Sequence, residues 1–373
     1  MRFSKKGGSV DLDKAESEIM EAYKSGVNYF DTAYIYPGSE AALGQILEKN
    51  QIRSKVNIAT KLPQYLAGSL KAVDKFFAEE LLRLRTDYID YYLMHMFTSP
   101  GQWDKLKTYG IEEWIAQRKQ EGSIRQIGFS FHGNTADFLE ILNAYDWDFC
   151  QIQYNYIDEF SQAGVEGLKA AAAKGIPVII MEPLRGGKLV NQLPREAKEL
   201  IGASAAVSNP AELAFRWLWD QPEVTCVLSG MNSMEMVREN CEAASAAETS
   251  YQTGEEKEII SQIKKIISRF ELVRCTGCRY CMPCPRGVDI PMLFACYNRT
   301  ALGNKGSARK EYFQNVGLRR EPAFATRCIG CGKCESHCPQ GIPIIQKLKE
   351  ADRTIRPLPY KIAISVARKF LKL

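Results

Sequence analysis

A short β-rich apolar run, a loop and a segment of helical period recur from residue 13 to about residue 245, and nothing else in the chain restricts its fold as tightly. The runs are Val27–Phe30, Val56–Thr60, Tyr88–Met94, Gln126–Phe131, Phe149–Gln153, Pro177–Met181 and Val224–Leu228. Helical segments separate them, among them Asp13–Lys24, Leu70–Arg83, Ile111–Gln120, Thr135–Ala144, Val165–Lys174 and Ala211–Trp219, and Met234–Ala244 follows the last run. Parallel strands need long crossovers, and helices supply them, so this alternation demands a parallel sheet covered by helices. An open doubly wound sheet and a closed (β/α)8 barrel of the TIM type both satisfy it. No Gly-x-Gly-x-x-Gly follows the first run, and polar or ionisable residues end several different runs, which is where barrel sites are built. The expected class is therefore α/β, a TIM-type barrel. Seven runs are counted where eight belong, so the barrel is expected to lack its first strand.

Such a fold needs a large core, and with 45% hydrophobic and 25% charged residues in 373 the chain can bury one, which excludes a disordered protein. A net charge of +5 is too small to argue for nucleic acid as the partner. No apolar run reaches the roughly 18 to 20 residues of a membrane span, and the first residues lack the apolar stretch of a secretory signal. A cytoplasmic location is expected. There, cysteines serve metal or redox chemistry more often than disulfides.

Four chemically useful groups stand at the ends of the first three runs: Asp31, Tyr36 in the loop beyond it, Lys61 and His95. Together they make a proton-transfer device for a carbonyl. An ammonium beside a phenol favours the phenolate, so Lys61 would ease proton loss from Tyr36. Asp31 would hold Lys61 charged, and His95 would orient the carbonyl oxygen. Taken singly, each residue has an ordinary structural reading as a cap, a core edge, a solvated amine or a core histidine.

The words Asp31-Thr-Ala-Tyr-Ile-Tyr36, Ala59-Thr-Lys61 and Asp87-Tyr-Ile-Asp-Tyr-Tyr-Leu-Met-His95, in that order, resemble the aldo-keto reductase family. The resemblance implies a catalytic tetrad of Asp31, Tyr36, Lys61 and His95, with Tyr36 protonating the carbonyl oxygen during hydride transfer from NADH or NADPH. It also implies cofactor contacts. Ser130 and Gln151 would meet the carboxamide, and Ser229, Gly230, Met231 and Asn232 with Glu239 and Asn240 would hold the nucleotide. In Met181-Glu-Pro-Leu-Arg-Gly-Gly-Lys188, Met181 stands where many relatives stack an aromatic ring; Leu184 and Gly187 belong to this cofactor segment, and Arg185 or Lys188 would reach the pyrophosphate. Arg238 is a candidate for an adenosine 2′-phosphate, and the residues leave NAD against NADP open. Relatives open with a floor-closing hairpin and a first strand, both expected to be absent here. Met96, Phe97 and Trp103 are expected to line an apolar substrate pocket.

Eight of the twelve cysteines fall in two runs, Cys275, Cys278, Cys281 and Cys284, then Cys328, Cys331, Cys334 and Cys338, each closed by proline. The pattern resembles bacterial two-cluster ferredoxins. That resemblance implies one [4Fe-4S] cluster on Cys275, Cys278, Cys281 and Cys338 and a second on Cys328, Cys331, Cys334 and Cys284. Paired zinc sites are the alternative for such spacings. Cys150, Cys226 and Cys241 read as buried fillers and Cys296 as a bystander. The chain thus divides into a barrel over 1–250, a linker helix over 251–270, an α-rich ferredoxin-like cluster domain over 271–350 and an amphipathic tail over 351–373. The segment Arg299 to Arg320 is basic and could receive an acidic ferredoxin-like carrier, a solvated surface being its plain reading. The tail carries Ile362, Val366, Phe370 and Leu373 on one side; a membrane surface would suit it, and packing against the protein is the expectation.

The union resembles the iron-sulfur branch of the aldo-keto reductases, found largely in anaerobes. An oxidoreductase acting on a small carbonyl or alcohol is expected, its clusters relaying electrons to or from a carrier. Hydride carries two electrons and a cubane takes one, so something must split the pair; a flavin would do so, although no segment compels one. The competing class is an electron-transfer or docking subunit whose barrel has lost cofactor binding.

Overall fold

The computed structural model describes residues 3–191, 193–249, 252–269, 272–273, 275, 281–301, 305–338 and 341–370. Two compact units emerge, Met1–Asn191 with Leu200–Lys257, and Gln192–Glu199 with Glu258–Leu373.

The first unit opens with a small antiparallel hairpin, β1 (Lys5–Lys6) and β2 (Ser9–Val10). None of the expected runs covers it. Its two-residue turn is Gly7-Gly8, both left-handed at φ +61° and +87°, as the turns that match strand twist require. Seven parallel strands follow, paired in chain order: β3 (Tyr29–Asp31), β4 (Asn57–Leu62), β5 (Ile89–Phe97), β6 (Ile124–Phe131), β7 (Phe149–Gln153), β8 (Val178–Met181) and β9 (Val224–Val227). All seven expected runs are strands, their ends displaced by a few residues at most. The helices between them start where polar side chains cap free amides. Ser69 accepts from Ala72 N, Asn134 from Asp137 N, and Asn209 from Ala211 N and Glu212 N ahead of a first-turn proline.

Among the described residues β3 and β9 are the sheet's two edges, so the eighth strand is missing from the ring as expected. The sheet still curls. Gln151 Nε2 on β7 donates to Asp31 Oδ2 on β3 at 3.2 Å, a contact across three intervening strands that a flat sheet could not make. On the outside, helix Leu12–Lys24 meets helix Met234–Ser245, burying Ala22, Val237 and Cys241 together. Arg238 Nε and Glu21 Oε1 close this seam at 2.7 Å. Helix packing thus joins the two ends of the barrel where a strand pair would have done so.

The second unit is helical. Ile290–Ala301 and Ile344–Ile355 pack on each other, with Lys305–Tyr312 and Leu358–Phe370 around them. Cys296 lies wholly buried in this core, so it is a packing residue, and burial pushes its thiol up to about 12.

Gly128 on β6 gives the barrel interior room for a ring: a Cβ there would meet the Phe149 carbonyl oxygen at 2.5 Å and its ring at 2.7 Å. Gly128→Ala is expected to lower the unfolding free energy by about 1–3 kcal/mol, read from urea denaturation against the parent protein.

Candidate functional site

Successive side chains of a strand point to opposite faces, so a residue two places beyond an interior one is interior too. Tyr29, Ala59, Leu93, Phe149 and Ile179 form one apolar layer inside the barrel. Two places nearer the strand ends stand Asp31, Lys61, His95, Gln151 and Met181. The polar rim is therefore the next layer of the same interior.

Lys61 is almost wholly buried at 2% exposure, and its ammonium donates to both Asp31 carboxylate oxygens and to the Thr32 carbonyl, each at 2.6 Å. Its three N–H groups match three acceptors, as a buried charge requires. Tyr36 sits in the loop after β3, held there by its amide on the Ala33 carbonyl (2.9 Å) and by the Ser39 amide on its own carbonyl (3.0 Å). Its ring centroid lies 5.7 Å from Lys61 Nζ, and the His95 ring approaches it edge-on at 6.1 Å. Asp31, Tyr36, Lys61 and His95 thus lie together at one rim.

Burial first, then the charges of Lys61 and His132, hold the His95 pKa well below 6.5, so its imidazole is neutral at physiological pH. Gln64 Nε2 donates to the His95 carbonyl at 3.2 Å, while His95 Nδ1 and Gln151 Oε1 are buried without a partner. Ser130 Oγ accepts from Met96 N at 2.8 Å and so pins the end of β5, where Met96 turns left-handed at φ +59°.

Of the cofactor segment after β8, Met181 ends the strand, and Glu182 and Arg185 are both left-handed, at φ +56° and +49°. Leu184 O takes the amides of Gly187 and Leu189, and Lys188 begins the short helix Lys188–Asn191. After β9, Gly230, Met231 and Asn232 lie in the loop, Ser233 caps helix Met234–Ser245, and Asn240 Nδ2 on that helix donates to Ser229 Oγ at 3.0 Å. Glu239 is exposed on the same helix. Both arginines considered for phosphate are already engaged, Arg185 Nε with Asp158 Oδ2 at 2.9 Å and Arg238 with Glu21.

Phe97 and Trp103 require a correction. Both are fully buried, in an aromatic cluster with Phe129, Tyr145 and Trp147, and only Met96 of the expected pocket trio is partly exposed. The sequence reading also overlooked a polar network beyond β6, β7 and β8. Gln162 Nε2 donates to Gln153 Oε1 at 2.9 Å, Gln153 and Asn155 both donate to Asp158 Oδ2, and the buried His132 stands nearby. His132 follows the last residue of β6, and applying the strand-end rule to every strand would have found it.

In the second unit a cavity of about 240 Å³ is lined by Cys284, Cys328, Cys331 and Cys334 together with Cys281. The first four are the ligand set expected for the second cluster. The donor chemistry and the space fit a cubane, and Gly330 N already points at Cys328 Sγ at 3.4 Å, as amides around cluster sulfurs do. Gly330 and Gly332 take φ of +70° and +72°, which lets the chain wrap the cavity. Of the first cluster's set, Cys275, Cys281 and Cys338 are described and Cys278 lies outside the described residues.

An aldo/keto reductase family model matches residues 1–261, and a 4Fe-4S dicluster domain model matches residues 274–342. L-galactose dehydrogenase of Arabidopsis thaliana is 31% identical over 281 residues, covering 70% of this chain and 86% of that protein. NADH-specific methylglyoxal reductase of Escherichia coli is 27% identical over 283 residues, covering 63% and 84%. Among solved structures, the holo form of an aldo-keto reductase from Bacillus halodurans matches with a TM-score of 0.57 at 26% identity, covering 68% of this chain and 88% of that one.

Burial pushes the His132 pKa from 6.5 down to about 4. Between those two pH values the unfolded chain takes up a proton that the folded chain refuses, so stability declines as pH falls from about 6.5 towards 4 and owes nothing to this residue above that window. His132→Gln is expected to flatten part of that decline, read as urea midpoints measured on either side of the window.

Proposed function

Because the chain belongs to the aldo/keto reductase family and carries a 4Fe-4S dicluster domain, we propose that this oxidoreductase interconverts a small carbonyl compound and its alcohol at the barrel rim, its cluster domain relaying single electrons to or from a carrier. One observation carries the reading: a fully acceptor-matched Lys61 lies beneath the Tyr36 ring, with a neutral His95 edge-on to that ring.

Bound NADH or NADPH would supply or accept the hydride. Ser130 and the unpartnered Gln151 Oε1 suit its carboxamide, Met181 its ring, Leu184–Lys188 and Ser229–Asn232 its phosphates, and Glu239 and Asn240 its adenosine end.

The chain's own groups handle the proton. Tyr36 gives its hydroxyl hydrogen to the carbonyl oxygen, and the fixed charge of Lys61 stabilises the phenolate left behind. Asp31 keeps Lys61 charged and in place. The neutral imidazole of His95 holds the oxygen through its single N–H without protonating it. In the other direction the same phenolate recovers the proton from the alcohol.

Electron exit through the second cluster is supported by the surface around its pocket. Cys331 is exposed, Ile329 is 63% exposed, and Arg286 and Lys333 stand exposed beside them, which suits an acidic carrier.

Tyr36→Phe is expected to lower carbonyl reduction by at least about 100-fold while nicotinamide binding persists. Full activity in that variant would overturn the reading, and a parent protein that binds neither NADH nor NADPH would favour the docking-subunit class instead. Cys331→Ala, purified anaerobically, is expected to hold roughly half the parent's iron and sulfide, because one of two cubanes loses a ligand. Zinc in place of iron in the parent would refute the cluster assignment.

A further inference from the structure

The helix Leu358–Phe370 is attached to the second unit by one face only. Ile364 is buried there at 2% exposure, packed over Gly317. Tyr360 Oη donates to the Arg309 carbonyl at 2.6 Å, and the Arg368 guanidinium donates to the carbonyls of Gly317 at 2.8 Å and Arg320 at 3.0 Å. Along the other face Leu358, Ile362, Val366 and Phe370, each four residues from the last, are 71, 57, 61 and 87% exposed. Ile362, Val366 and Phe370 belong to the stripe the sequence reading expected to be covered by the protein, whose last member, Leu373, lies outside the described residues. Single exposed apolar residues need no explanation, whereas a continuous line of four along one helix marks a surface that meets something apolar.

The charge around the stripe names the occupant. The helix contains no acidic residue, Lys361 and Lys369 are exposed along it, and the segment it docks on adds exposed Lys310 and Arg320; against these stand Asp352, 4.0 Å from Lys361, and the exposed Glu321, so the surroundings stay cationic. A second copy meeting this face about a two-fold axis would bring those cations together with no helix acid to offset them. An anionic bilayer surface satisfies both halves at once: the apolar side chains enter the acyl boundary, and the long basic ones reach the phosphates. We propose that Leu358–Phe370 is an interfacial anchor that seats the second unit on anionic phospholipid. It lies in the surface, since among the described residues no helix is long and apolar enough to cross.

The test uses the full-length protein with its iron intact and sucrose-loaded vesicles, either pure phosphatidylcholine or phosphatidylcholine and phosphatidylglycerol in equal parts. The parent is expected to co-sediment with the anionic vesicles at low salt, and at least about tenfold less with neutral vesicles or in high salt. The variant I362E/F370E is expected to lose about tenfold in binding, and K361E/K369E to lose the preference for anionic lipid, both with unchanged helical circular dichroism and iron content. Equal binding by parent and I362E/F370E, or no binding by the parent, overturns the proposal. So does a dimer by light scattering that reverts to monomer in I362E/F370E, which would assign the stripe to a second copy.

Discussion

The ammonium of Lys61 is the constraint on which the barrel's chemistry rests. A charge at 2% exposure is tolerable only when its hydrogens all meet acceptors, and here Asp31 and the Thr32 carbonyl provide them at 2.6 Å. Asp31 in turn takes the Gln151 amide from the far side of the barrel. One ion pair thereby fixes the relative positions of β3, β4 and β7 and sets the field in which Tyr36 and His95 work. The same field, added to burial, keeps His95 neutral.

The barrel's order of strands and its rim were both legible in the amino-acid pattern because they follow from one period. Alternation by two on each strand makes Asp31, Lys61, His95 and Gln151 successors of the apolar residues Tyr29, Ala59, Leu93 and Phe149. Signals that depend on packing depth were not legible in this way. Trp103 looks like a pocket residue from its place in the loop after β5, yet it is drawn into the aromatic cluster, because burying so large a ring outweighs leaving it at a wet mouth. The hairpin at Lys5–Val10 escaped notice for the opposite reason: its strands are two residues long and polar, and only the Gly7-Gly8 turn announces it. Arg185 and Arg238 were read as free cations because a sequence does not show which carboxylate lies opposite. Asp158 and Glu21 do.

In the second unit the ligand pattern was plain, since thiolates around a cubane tolerate few spacings, but a longer repeat around it was overlooked. Cys284-Pro-Arg-Gly-Val-Asp-Ile290 and Cys338-Pro-Gln-Gly-Ile-Pro-Ile344 share one pattern, Cys-Pro-x-Gly, a β-branched aliphatic residue, x and Ile. Gly287 and Gly341 stand at the same place in each and are left-handed at φ +67° and +60°; Ile290 and Ile344 begin the two helices that pack on each other. The repeat gives the two cysteine runs, about fifty residues apart in sequence, the same local path. Each run delivers its last cysteine into a turn whose glycine redirects the chain, and each then anchors itself with the first turn of a buried helix.

The terminal helix shows where periodicity stops being informative. Leu358, Ile362, Val366 and Phe370 form the more apolar face, and burial by area alone would have turned that face inward. The opposite face docks instead, because Gly317 leaves room for Ile364 to sit against its backbone and because Arg368 satisfies carbonyls at the end of a turn of helix that would otherwise lack donors. Charge-assisted hydrogen bonds to exposed backbone acceptors are specific in direction, whereas an apolar stripe accepts any apolar cover. The directional contacts therefore choose the docked face, and the non-directional one is left for a partner that need only be apolar in its interior and negative at its surface.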